Sequence, residues 1–168
     1  MPRLPLIILA AVLVSRAADA QLDPVETSMV DFIDATNADA ETLMIESINI
    51  NSGSMNFAGV RAVADHLAPH FANIGFTTRF EQGSAWGRAG HLIAEHHGAG
   101  SGPKLLLIGH LDTVFEADSP FQTFERLDAD RAIGPGIADM KGGNIIILQA
   151  LRALDAALLM YRLSRSAE

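Results

Sequence analysis

Between residues 23 and 50 the apolar side chains Val30, Ile33, Leu43, Ile45 and Ile48 are spread among Asp, Glu and Thr, which predicts helix, with Asn37 or Asp39 available to cap a second segment. Asn51-Ser52-Gly53-Ser54 is a break. A second helix is expected over about 56–73, where Phe57, Val60, Val63, Leu67, Phe71 and Ile74 recur at steps of three and four and form one apolar stripe. Pro69 is expected to kink it, and Gly75 fits its stop. The period then changes. Phe76-Thr77-Thr78-Arg79-Phe80 and residues 91–97 read as paired strands across a glycine-rich connection around Trp86. After a loop at 98–103, Lys104-Leu105-Leu106-Leu107-Ile108 has the nearly unbroken apolar character of a strand buried on both faces, and it ends at Gly109. Residues 124–127 and 131–133 flank Asp128-Ala129-Asp130 as a hairpin, 134–143 is a loop, and 144 to about 157 is an apolar helix. Helices alternating with strands, one of them fully buried, predict an α/β sandwich without internal repeats.

Composition narrows this picture. A chain of 168 residues that is 49 % hydrophobic suits one compact domain. Its net charge of −8, with no basic cluster, argues against a nucleic-acid partner. There is no cysteine, which excludes disulfides and thiolate zinc sites, so any metal has to be held by His, Asp and Glu. The first twenty residues stand apart. Arg3 precedes an apolar run over 4–14, and Ala18-Asp19-Ala20 places small residues ahead of Gln21, the pattern of a secretory signal peptide. The run is shorter than the roughly 20 residues of a bilayer span. A cleaved leader at 1–20 is therefore expected in preference to a retained anchor. The chain is expected to be exported, to the periplasm or beyond the cell, with no stable membrane span.

Two segments carry chemistry. His110 sits just past the carboxyl end of the buried strand, the place where open α/β sheets bind ligands. A zinc-binding imidazole usually donates its other ring N–H to a carboxylate, and Asp112, two residues on in an extended segment, projects to the same side. Taken alone, His-x-Asp is better read as a strand-end histidine beside a surface aspartate, because short motifs have many false positives. The second segment changes that balance. Asp139 lies in Gly134-Pro135-Gly136-Ile137-Ala138-Asp139-Met140-Lys141-Gly142-Gly143, whose glycines admit unusual backbone conformations near a ligand. A carboxylate there can bridge two cations about 3.5–4 Å apart. A phosphate-binding reading fails: Asp139 stands where a dinucleotide fingerprint needs Gly or Ala, and Lys141 is followed by Gly142 instead of Ser or Thr. His66 and His70 are four apart on the second helix, but Leu67 replaces the Glu of a zincin motif, so a solvated helix face is expected. His96 and His97 are expected to end a strand at the surface, and Trp86 to be a packing or loop residue.

These two segments, with the buried strand before the first and the helix after the second, resemble the M20 metallopeptidases, and most closely their glutamate carboxypeptidase-like branch, over about residues 23–156. The resemblance implies a zinc-peptidase-like three-layer α/β sandwich with a mixed, largely parallel sheet. It implies two zinc ions, with His110 a ligand of one, Asp139 bridging both, and Asp112 the catalytic residue that orients His110. The Asp139–Met140 peptide is often cis in relatives. The implied reaction is hydrolysis of a peptide or N-acyl amino acid that carries a free carboxylate.

The family pattern contains more than these residues supply. It has a Glu-Glu pair that provides the general base and another ligand, a later acidic ligand, a final His, and an inserted domain that mediates dimerisation. None is found here. Residues 21–157 are thus expected to be the N-terminal portion of a truncated catalytic domain, and 158–168 an atypical tail of the kind a frameshift or truncated gene produces. Glu168 lacks the context of the base. With two ligands in place of the usual three, these residues alone are expected to bind zinc weakly and to hydrolyse nothing. The alternative is a non-catalytic fragment or partner-binding remnant with exposed apolar faces.

Overall fold

A computed structural model describes residues 21–98 and 103–166. The expected leader at 1–20 lies outside the described residues, as does most of the loop expected at 98–103. Helix α1 spans Pro24–Ile48. Asp23 caps it by accepting from the amides of Val25 and Glu26 at 2.7 and 2.8 Å, while Glu26 accepts from the Asp23 amide. Neither Asn37 nor Asp39 begins a second segment. The helix runs unbroken because Ala40 and Leu43, just beyond them, are buried against the helix that ends the chain. Helix α2, Phe57–Ala72, starts at Asn56, whose side chain accepts from the Gly59 amide, and it continues through Pro69. The last helix, α3, spans Gly142–Ser166. It passes the stop expected near 157, since Leu158 and Leu159 are good helix formers and no Gly or Pro follows them.

The core sits between these helices. Leu43 of α1, Val63 and Leu67 of α2, and Ile145 and Leu148 of α3 are buried together with Ala40. Each large member contributes about 1.5–3 kcal/mol by leaving water. Gln149 donates to Thr36 Oγ1 at 3.1 Å, joining α3 to α1, and Arg152 reaches His70 on α2 at 2.8 Å. The stretch Ile137–Leu159 is apolar and long enough to cross a membrane; in it Ile145, Leu148, Ala153 and Ala157 are buried, while Ile146, Leu154, Leu158 and Leu159 are exposed.

Two small antiparallel sheets complete the description. Strands β1 (Thr77–Gln82) and β2 (Gly90–Glu95) pair from Thr77↔Glu95 to Gln82↔Gly90 and pack on α2 through Leu92. Strands β3 (Glu125–Arg126) and β4 (Ala132–Ile133) form the expected short hairpin, tied to α1 by the Arg126–Glu41 ion pair. The apolar run 104–108 departs from expectation. It joins no ladder, and Leu105, Leu106, Leu107 and Ile108 are all exposed. Burial of a strand on both faces comes from neighbours beside and across the sheet, and no strand among the described residues lies next to this one. The single parallel pairing among the described residues is the bridge Gly53↔Thr113, five residues further on.

Candidate active site

The two chemical segments meet at the end of the bare 104–109 run. Gly109 is packed so closely against Met140 and Asn144 that a side chain there would collide with both. Asn144, in the first turn of α3, donates to the His110 carbonyl at 2.7 Å. On the other side, Thr113 is buried and held by two backbone hydrogen bonds: its amide donates to Ser52 O at 2.8 Å, and its carbonyl accepts from the Ser54 amide at 3.0 Å. The backbone before Asp112 is thereby pinned to α3, and the backbone after it to the loop that follows α1.

The glycine-rich segment folds as a tight π-type turn, Ile137–Lys141, with a cis peptide between Asp139 and Met140. Gly136 enters it at φ 78°, a left-handed conformation that disfavours any side chain, and a Cβ there would strike Thr113. Lys141 anchors the turn from below. Its amide donates to Gly136 O at 2.8 Å, and its buried ammonium donates to Ser47 O and Ile50 O at 2.8 and 2.7 Å. Those carbonyls lie at the carboxyl end of α1, where the helix dipole favours a cation. Burial pushes the Lys141 pKa down to about 8.

These anchors bring His110 and Asp139 together. His110 Nε2 lies 2.8 Å from Asp139 Oδ1, and Nδ1 lies 3.0 Å from the Asp112 carbonyl and 3.2 Å from Asp112 Oδ1. Desolvation acts to lower the His110 pKa. The hydrogen bonds to Asp139 and the Asp112 carbonyl, with the charges of both carboxylates, outweigh it, and the net shift is upward. Asp112 Oδ2 in turn accepts from Ser54 Oγ at 2.5 Å. The site opens on a pocket of about 360 Å³ whose walls include Ser54, Phe115 and Phe121, the two rings packed edge-to-face at 5.0 Å.

The donor chemistry suits zinc. An imidazole nitrogen faces a carboxylate oxygen, and the second ring nitrogen has oxygen acceptors that hold its proton and leave Nε2 for a ligand role. The count is short, because among the described residues no three His, Cys, Asp or Glu side chains converge on one point. Apart from Asp112 and Asp139, no carboxylate among the described residues lines the pocket.

Three contributors were not singled out from sequence: Ser54, which read only as part of a break, Lys141, weighed only against a phosphate loop, and Asn144. The one signal was a lysine set between Asp139 and an apolar helix. The other histidines stay apart from the pocket. His66 and His70 do not form a solvated face. Both are half-buried, with His66 3.9 Å from Glu46 of α1 and His70 accepting from Arg152 of α3, because α2 is packed on both sides here. His96 is exposed against Phe76, and Trp86 stacks on His91 at the surface.

Comparison with known proteins matches residues 106–162, which contain His110, Asp112 and Asp139, to the peptidase family M20/M25/M40. Carboxypeptidase G2 of Pseudomonas sp. is 36 % identical over 111 residues, 64 % of this chain and 26 % of that protein. Acetylornithine deacetylase of Salmonella arizonae is 38 % identical over 95 residues, 53 % of this chain and 24 % of that protein. The chain thus spans about a quarter of the length of the curated relatives it matches.

Proposed function

We propose, for a chain that belongs to the M20 peptidase family over part of its length, that His110 and Asp139 are zinc ligands of an amide-hydrolysing site and that Asp112 orients His110. The observation that carries this is the pairing of His110 Nε2 with Asp139 Oδ1 at 2.8 Å while Asp112 occupies the other ring nitrogen. Such an arrangement leaves each group a distinct task. Asp112 keeps the proton on Nδ1. Nε2 then offers its lone pair, and Asp139, whose side chain is 86 % exposed, has a second oxygen directed to solvent. When bound, zinc supplies polarisation of the scissile carbonyl and acidification of water.

The relatives' names indicate the substrate class. A carboxypeptidase and an N-deacetylase both cleave an amide, so the substrate is a peptide or an N-acyl amino acid with a free carboxylate. The general base and at least one further ligand come from outside the described residues, since two protein donors fall below the three usual for catalytic zinc. Residues 104–108 are then a strand of the mixed, largely parallel sheet of an α/β sandwich, covered once neighbours flank it. The small residues before Gln21 support export of the protein, which N-terminal sequencing of secreted material would test.

Two measurements test the core of the proposal. Zinc calorimetry on the 168-residue chain should give weak binding that disappears in His110→Ala, and equal binding by wild type and variant would refute the ligand assignment. Incubation with N-acyl amino acids and zinc should give no turnover by these residues alone. Turnover would show that the base lies within them. The exposure of Leu105 to Ile108 favours a second reading, a non-catalytic fragment that requires a covering partner. A monodisperse monomer in sedimentation would count against it.

A further inference from the structure

We propose that Ser54 is a positioning residue that acts on His110 through Asp112, a role that rests on the zinc-site reading above for its consequence but not for its geometry. Ser54 Oγ lies 2.5 Å from Asp112 Oδ2 and 3.3 Å from Thr113 O. A hydroxyl has one proton to give, and the shorter, charge-assisted partner takes it. Asp112 is the part of the site that needs this. Its backbone is fixed by the Thr113 bridge, but its side chain is 38 % exposed and has two partners among the described residues, Ser54 on Oδ2 and His110 on Oδ1. A short carboxylate with one oxygen released turns readily toward water.

His110 has the complementary weakness. Its carbonyl is held by Asn144, so the remaining freedom is in the ring, and the ring is set by what faces Nδ1. Ser54, by contrast, sits on a backbone braced by hydrogen bonds of its own. Its amide is bonded to Thr113 O, the Asn56 amide to Gly53 O at 2.8 Å, and the Met55 amide to Glu116 Oε1 at 3.0 Å. Fixed backbone, hydroxyl, carboxylate and imidazole thus form one line from the α1–α2 loop to Nε2. Substrate is not touched by Ser54 in this role, so the residue positions and does not react.

The test compares Ser54→Ala and Ser54→Thr in the full chain, first without metal and then with zinc. In metal-free protein the His110 Nδ1–H proton resonance reads the ring's hold on Asp112. It should shift and exchange faster with water in Ser54→Ala and return to its wild-type position in Ser54→Thr, while the melting temperatures stay equal. With zinc, Kd should rise about tenfold in Ser54→Ala, the low end of what loss of an outer partner of a ligating histidine costs. An unchanged His110 resonance in Ser54→Ala overturns the proposal. Should that variant fail to fold, Ser54→Cys keeps the volume with a far weaker donor and gives the same reading. Failure of the zinc reading would appear instead as absent metal binding in wild type, with the metal-free resonance still responding to Ser54.

Discussion

Leu148 and Leu106 are the same residue type in adjacent parts of the chain and meet opposite fates. Leu148 is fully buried among α1 and α3 side chains, and Leu106 is 82 % exposed in a run that pairs with nothing. The difference lies in how a helix and a central strand acquire burial. An amphipathic helix finds its cover on other helices of the same short segment, so α1, α2 and α3 assemble among themselves. A strand apolar on every residue requires partners beside and across it, and none is present among the described residues. The site hangs between these regimes. His110 follows Gly109 at the end of the unpaired 104–108 run, yet Asn144, Ser52 and Ser54 hold it and its neighbours to the helical side.

The sharpest way to break this comparison is to shorten both leucines. Leu148→Ala should cost about 2–5 kcal/mol by lost transfer energy and a residual cavity. Leu106→Ser should stay within about 0.5 kcal/mol, as surface changes usually do, and should raise solubility. Urea denaturation midpoints measure both. Equal losses would mean that Leu106 is buried in solution.

Lys141 comes next, because it couples the two regions. Replacing it by Met keeps the apolar stem but leaves Ser47 O and Ile50 O without their donor, a loss of about 2–3 kcal/mol for buried acceptors. The Asp139 turn should loosen with it, so zinc binding should weaken more than in Leu148→Ala variants of similar stability. Retention of full stability would show that water replaces the ammonium there.

The same contrast explains what could be read from the sequence. The stripe Val60-Val63-Leu67, the pairing of 76–80 with 91–97 and the short hairpin near 128–130 were all legible, since each depends on local period and turn residues. His110, Asp112 and Asp139 were singled out by the pairing of two motifs and by the family resemblance they carry, and the structure brings the three side chains together. Ser54, Lys141 and Asn144 were not. Each acts through a contact 34 to 94 residues away in the chain, which no local pattern encodes. The continuity of α1 past Asn37 and of α3 past Ala157 was likewise decided by helix packing and propensity, where local signals suggested caps and stops.

Asp139 should matter for chemistry with little effect on folding. Asp139→Asn removes the acceptor charge from His110 Nε2 while altering a side chain that is almost fully in water. Stability should change by less than about 0.5 kcal/mol. The His110 pKa should fall, because the hydrogen bond that raises it is weakened and a carboxylate charge is lost. An NMR titration of the His110 ring checks the direction, and an unchanged or higher pKa would mean that the two groups are apart in solution.

The smallest expected effect sets one histidine of the helical core against the one in the site. His70 is held below the ordinary histidine pKa, first by burial and then by the charges of Arg152 and His66, with Glu46 pulling the other way. His110 is held above it. A lowered histidine binds fewer protons folded than unfolded, so His70's contribution is intact above pH 6.5 and is lost as pH falls through 6.5 toward its folded value. For His110 the sign is reversed: its contribution is complete below pH 6.5 and disappears as pH rises through its raised value. The two oppose each other in metal-free protein and flatten the wild-type profile. Urea midpoints between pH 5 and 8 should separate them. His70→Gln should gain stability relative to wild type as the solution is acidified, and His110→Gln should lose it. Parallel profiles in the two variants would mean that the helical core and the site present histidines with the same environment, contrary to the packing of His70 against Arg152 and of His110 between two aspartates.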